Sequence, residues 1–487
     1  MEEGMNRLPL VAATALLAFG CGKDSSDNKA ECQLEAIDLT GCDRSTLSVV
    51  QAEGVWNANI NLNDGYSGPS SIRFSPGDPL LIGLAMTTKQ VTPDTFFLAS
   101  DVAGSTEGST VRYAFAGCKA SGPNEVLGVV RVCGNGATVS QGTFTARRVV
   151  RREGEAESDR VEFLGQGVMP RGAANGVAVA NGYAYVIAGS EGLFVYDVKD
   201  PAHPTLVSEQ KFPSETFSST LLSGTTLYLG TYAKGIRICD LAKPEVPTCD
   251  KTVLADLSVR VDSMVKDGNL LYVASPLPKS DIVILDVTQP SAPTLVVRYT
   301  VEGSSPDLSE YPYALAVQDN RLYVSNWSYG VTVTDLSPLA TTTKLPKLLG
   351  RFPGPSTSAL AVGRLGDSTV VYQGSDAWGS SILALDATNP TAIVQRGELP
   401  LRPEATLGGM VLSGTTLYVA NYQDGLRVYD VSTLGTPKAA GYFNSWNETD
   451  AGRGKSYFDG LQGIHVADGL VYGWDTTRGL LIFRHTP

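Results

Sequence analysis

The residues of this chain that could do chemistry are few and mostly dispersed. It has three histidines. His203 lies in an Asp-Pro turn and reads as a filler, His485 is two residues from the last position, and His465 begins the run "GIHVADG". Neither H-E-x-x-H nor G-x-S-x-G occurs, so zinc-protease and hydrolase-elbow chemistry have no anchor. "GRGKS" (452–456) mimics the end of a phosphate loop, but Thr449 stands where the first glycine belongs and no helix follows. Aspartates recur at Asp197, Asp240, Asp286, Asp335, Asp386 and Asp430. A metal would need such carboxylates to converge. Each instead closes an apolar run just before a turn, where its oxygen can accept the turn's N–H groups.

The remaining candidates are aromatic. "TYAKG", "SNWSYG", "QGSDAWGSS", "NYQDG" and "GWDTTRG" carry Tyr232, Trp327, Tyr329, Trp378, Tyr422 and Trp474. "FNSWNETDAGRGKSYFDG" (443–460) adds Trp446, Tyr457 and Phe458. Aromatic faces among polar loop residues suit stacking on sugars, peptides or aromatic ligands. They equally suit packing between neighbouring elements, and the two readings stand side by side.

The elements that position these loops form an array. "GLFVYDVKDPAHPTLV" (192–207) returns as "DIVILDVTQPSAPTLV" (281–296). A Tyr-containing strand precedes each such phrase, pairing Tyr185 with Asp197, Tyr228 with Asp240, Tyr272 with Asp286, Tyr323 with Asp335, Tyr372 with Asp386, Tyr418 with Asp430 and Tyr472 with Arg484. The Tyr-to-Asp separation is 12 or 14 residues, and copies recur every 43–54. Each copy holds four β-like runs, which is the pattern of a propeller blade. The Asp-x-x-x-Pro turn ends the third strand, because proline cannot donate to a ladder. The last copy supplies only three strands, while "DRVEFLGQGVM" (159–169) is an orphan fourth. Seven blades closed by that N-terminal strand leave no open sheet edge in the ring.

The phrases "IVILDVTQPSAPTLV" and "LFVYDVKDPAHPTLV" resemble the LVIVD repeat, found in secreted and surface-anchored bacterial proteins. The resemblance covers 159–487, most clearly in copies one, three and six. It implies a propeller and an exported compartment, and it implies no reaction.

Residues 31–150 lack the repeat and read as a separate disulfide-bonded β-sandwich or barrel of six to eight strands, followed by a charged linker at 151–158. "GVW" (54–56) matches the opening of lipocalin-like barrels, although a core tryptophan in a sandwich explains it equally simply. "LPLVAATALLAF" (8–19) is too short to span a bilayer and fits a signal-peptide core. "LLAFGC" resembles a bacterial lipobox, which implies cleavage after residue 20, lipid attachment to Cys21 and a polar tether at 21–30. Ordinary cleavage to a soluble secreted protein is the alternative. The other six cysteines, Cys32, Cys42, Cys118, Cys133, Cys239 and Cys249, suggest disulfides in an exported chain, and nearest-neighbour pairing is the simplest of the connectivities.

With a net charge of −12, the chain offers no basic footprint for nucleic acid or anionic lipid. The expectation is a non-enzymatic binding lipoprotein of the cell envelope, at the outer membrane or cell surface. It would meet the membrane through its N-terminal lipid alone and present a propeller rim to an envelope or extracellular protein or polysaccharide. No cofactor is called for; calcium stays open, although no ligand set points to it. The alternative is a secreted propeller hydrolase or lactonase with a metal in its channel. Mostly apolar first strands such as "GVAVAN" and "GMVLSG" weigh against that.

Overall fold

The computed structural model describes residues 31–255, 259–354, 356–447, 450 and 453–487. The signal segment, Cys21 and the tether lie outside the described residues. Among those described, no helix is long and apolar enough to cross a membrane. The chain divides into two compact units: residues up to Arg152 with 403–405 and 447–459, and residues 153–402, 406–446 and 460–487.

The first unit is one antiparallel sheet of nine strands, in the order Leu84–Ala85, Leu80–Leu81, Ser67–Phe74, Gly54–Leu62, Ala137–Arg148, Glu125–Gly134, Thr110–Gly122, Thr95–Ala103 and Thr88–Thr92. Its strands alternate buried and half-exposed residues, most cleanly along Glu125–Gly134, so one face carries the core. The sheet curls into a half-barrel. Phe96, from one limb, therefore meets Trp56 at 6.4 Å and Phe74 at 5.9 Å from the other. Trp56 is fully buried, with its indole N–H donating to the Ala52 carbonyl at 3.0 Å. It is a core residue, and the domain is a curled single sheet rather than a two-sheet sandwich.

All six remaining cysteines form disulfides, but nearest-neighbour pairing holds only for Cys239–Cys249. The others are Cys32–Cys133 and Cys42–Cys118. Strand register explains the correction. Cys133 lies opposite Arg112, and Cys118 sits in a bulge between Gly117 and Lys119, so the two sulfurs never face each other across the hairpin. Each instead fastens the segment before the sheet, with its short helical turns Leu34–Ala36 and Arg44–Val49, onto a strand.

The second unit is a seven-bladed propeller. Blade one comprises Gly176–Ala180, Tyr183–Ile187, Leu193–Asp197 and Thr205–Gln210, paired antiparallel in that order. Blades two to six span 217–253, 263–300, 314–352, 357–400 and 409–443. Blade seven has three strands within 461–485 and takes Val161–Gly167 as its fourth, with Val161 opposite His485 and Gly167 opposite Leu480. A further detail was not visible in the sequence: Ser158–Asp159 adds a fifth strand to blade six, opposite Phe443 and Tyr442.

The repeated residues now have physical roles. Each aspartate accepts the N–H two residues on, as in Asp286 from Thr288 at 2.7 Å and Asp430 from Ser432 at 2.8 Å. These hydrogen bonds hold the carboxyls of Asp286 and Asp430 below the usual carboxylate range. The repeated tyrosines other than the half-buried Tyr418 are buried, and two of them reach the next blade's turn. The Tyr185 hydroxyl donates to the Pro244 carbonyl at 3.1 Å, and that of Tyr228 to Pro290 at 3.0 Å. Outer-strand glycines complete the joint. A Cβ at Gly350 would collide with the Pro390 carbonyl, and one at Gly397 with Gly435. The next turn thus fits only against a bare backbone.

Candidate ligand-binding face

Strand pairing places the second-to-third-strand turns and the blade-to-blade connections at one end of every blade. Blade one closes this turn from the Ala188 N–H to the Gly192 carbonyl at 3.0 Å, and three other blades close it the same way, at Thr231–Gly235, Asn326–Gly330 and Asn421–Gly425. In these three, the first N–H donates to the glycine carbonyl, at 2.9, 2.8 and 2.9 Å. Gly330 and Gly425 have φ of 88° and 72°, and a Cβ would strike the Phe352 and Phe443 carbonyls. Glycine is required there.

The second residue of this turn is Gly189 in blade one and aromatic in the other three: Tyr232, Trp327 or Tyr422. Trp327 and Tyr422 take left-handed backbone, φ 37° and 38°. They also stitch their blade to the next. The Thr357 N–H donates to the Trp327 carbonyl at 3.0 Å, while Tyr422 and Leu461 exchange N–H···O bonds at 2.8 and 3.1 Å. Part of the aromatic signal in the sequence is therefore a structural repeat. Tyr422 is 2% exposed and Trp446 9%. Trp474 is half-buried and its ring lies over Gly463, where any side chain would strike it. Trp378 is half-buried in the blade-five turn, and Tyr457 and Phe458 belong to the first unit.

What sequence reasoning missed is a set of arginines stacked on propeller rings, two of them the loop aromatics Tyr232 and Tyr329. Arg171 lies over Phe194 at 5.1 Å, Arg237 over Phe212 at 4.7 Å, Arg260 over Tyr232 at 4.7 Å, Arg427 over Tyr442 at 4.9 Å, Arg351 over Tyr329 at 3.9 Å and Arg478 over Phe163 at 5.8 Å. Four of these six also pair with carboxylates. Arg171 pairs with Glu191 and Glu209, Arg237 with Glu215, Arg260 with Asp262, and Arg427 with Asp424 and Glu155. Burial works against the Arg427 charge, but the two carboxylates outweigh it and its pKa is raised.

Blade four brings two partly exposed aromatic rings into contact. Trp327 and Tyr313 are half-exposed and lie 5.3 Å apart, tilted by 52°. Ser328 Oγ donates to the carbonyls of Leu308 and Ser309 at 2.8 and 3.0 Å, tying the turn to the connection that enters the blade. Leu308 at its tip is 67% exposed.

The histidines lie away from this face. His203 is exposed and bonded to Asp200 at 2.8 Å, and His485 meets the Tyr418 hydroxyl at 3.3 Å. His465 is half-buried opposite Tyr472, and burial lowers its pKa while Asp468 opposes the shift. Among the described residues, no group of three or more His, Cys, Asp or Glu side chains could hold a metal ion.

The LVIVD repeat family matches at residues 171–210 and 261–301, which are blades one and three with the connections entering them. The chain carries LVIVD repeats, built into a seven-bladed propeller. No curated protein matches the sequence. Solved structures similar to this LVIVD propeller include the computationally designed Ika8 protein, at 9% identity over 66% of this chain and 98% of that one, with a TM-score of 0.42. BamB from Moraxella catarrhalis is 13% identical over 75% and 95%, with a TM-score of 0.42. A chain of the mitotic checkpoint complex is 13% identical over 69% and 98%, with a TM-score of 0.46.

Proposed function

We propose that this LVIVD propeller is a non-enzymatic binding protein of the bacterial cell envelope, anchored through a lipid on Cys21. Its loop face at blade four would engage an envelope or extracellular ligand. One observation carries the reading. Of the repeated side chains, the aspartates are taken up by turns and most tyrosines by blade joints, whereas Trp327 and Tyr313 are partly exposed and lie 5.3 Å apart on one blade. Three disulfides suit an oxidising compartment and so support export.

The test uses the intact, detergent-extracted protein and immobilised envelope fractions. Trp327→Ala with Tyr313→Ala should reduce retention at least tenfold, with unchanged far-UV circular dichroism. Retention equal to the wild type would overturn the reading. Anchoring is read separately, by fatty-acid labelling that Cys21→Ser abolishes.

A further inference from the structure

Arg351 differs from the ring-stacked arginines Arg171, Arg237, Arg260 and Arg427. It is exposed, and no carboxylate lies within ion-pair distance of it among the described residues. Its guanidinium is nonetheless held in place. The plane lies 3.9 Å from the Tyr329 ring centre, and Nε donates to the Tyr329 carbonyl at 2.6 Å. The Tyr329 hydroxyl donates in turn to the Glu302 carbonyl at 3.3 Å, which fixes the ring. Among the described residues neither terminal nitrogen hydrogen-bonds within the protein, and the side chain is exposed. A pre-positioned fork of this kind matches a carboxylate bidentately and loses little side-chain freedom on binding.

Resting on the binding role proposed for this face, we infer that the blade-four corner is a site for a uronate-bearing polysaccharide, with the carboxylate on Arg351 and a pyranose face on Trp327. Charge complementarity names the first contact, since Arg351 is a ring-stacked, exposed cation with no carboxylate in ion-pair distance among the described residues. Spacing favours a sugar over an acidic peptide. Trp327 and Tyr329 are two residues apart in one rigid turn, and a uronic acid residue carries an apolar ring face and a carboxylate on one stiff frame. An aspartate or glutamate presents its carboxylate on a flexible stem with no ring face beside it.

The experiment is affinity electrophoresis of the full chain in gels containing polygalacturonate, its methyl ester or poly-glutamate. Retardation by polygalacturonate is expected, with at least a tenfold weaker apparent affinity for Arg351→Gln, an intermediate value for Arg351→Lys, and none for the methyl ester. Because Arg351 is exposed, Arg351→Gln should keep the wild-type melting temperature. Equal retardation by poly-glutamate would overturn the saccharide assignment. Absence of retardation by polygalacturonate, or indifference to Arg351→Gln, would overturn the site. If Trp327→Ala with Tyr313→Ala still abolished envelope binding in either case, the binding face would survive without this ligand.

Discussion

The Tyr228 hydroxyl of blade two donates to the Pro290 carbonyl in the Asp-x-x-x-Pro turn of blade three, 3.0 Å away. With the Tyr185–Pro244 bond, this bond ties the tyrosine strand of blades one and two to the proline turn of the next blade. Tyr228→Phe should cost about 1 kcal/mol, because a carbonyl loses its donor inside a packed joint. The buried Tyr372 hydroxyl has no such acceptor. Tyr372→Phe should therefore be neutral or stabilising, and denaturant unfolding of the two variants distinguishes them.

The same burial makes the ring sensitive to alkali. Burial pushes Tyr196, Tyr228, Tyr272 and Tyr372 from 10.0 up to about 12. Below pH 10 these phenols are neutral in both states, and their contribution is fully present. Above it the unfolded chain binds fewer protons than the folded one, so stability falls as pH rises from 10 through about 12. Unfolding midpoints at pH 8 and pH 11 should show the fall, together with a delayed phenolate absorbance in the folded protein.

Gly330→Ala should destabilise by about 2 kcal/mol or more, since it adds a Cβ at positive φ against the Phe352 carbonyl. Gly366→Ala, also at positive φ but in open space, should cost about 1 kcal/mol. A thermal-shift comparison decides whether the backbone collision or the dihedral dominates.

Cys42→Ser with Cys118→Ser opens a bridge between residues 76 apart and should cost about 4 kcal/mol on the loop-entropy account. Opening Cys239–Cys249, only 10 residues apart, should cost about 2 kcal/mol less. Non-reducing peptide mapping should recover Cys32 linked to Cys133.

The propeller was legible because its signals are local. Two-residue alternation marks the strands, the proline marks the turn, and the orphan strand near Val161 declares how the ring closes. Disulfide pairing was not legible, because it depends on which strand lies opposite Cys118 and Cys133, and sequence proximity is silent on sheet register. The aromatic loops could be placed, but the burial of their rings could not. Tyr422 and Trp327 occupy the same turn position, yet one ring is buried and the other half-exposed. Arg351 escaped notice because an unpaired arginine is recognisable only once the carboxylates around its fellows are located. The glycines that receive the next blade's turn, Gly350 and Gly397, lie outside the repeated phrase and carry no pattern of their own.

Hydrogen exchange of the intact protein, free and bound to the envelope fraction that retains it, tests the binding face most directly. Protection should concentrate in residues 302–313 and 326–330 of blade four, leaving the Asp-x-x-x-Pro turns unchanged. Protection confined to the outer strands or to the first unit, with blade four unaffected, would contradict the account.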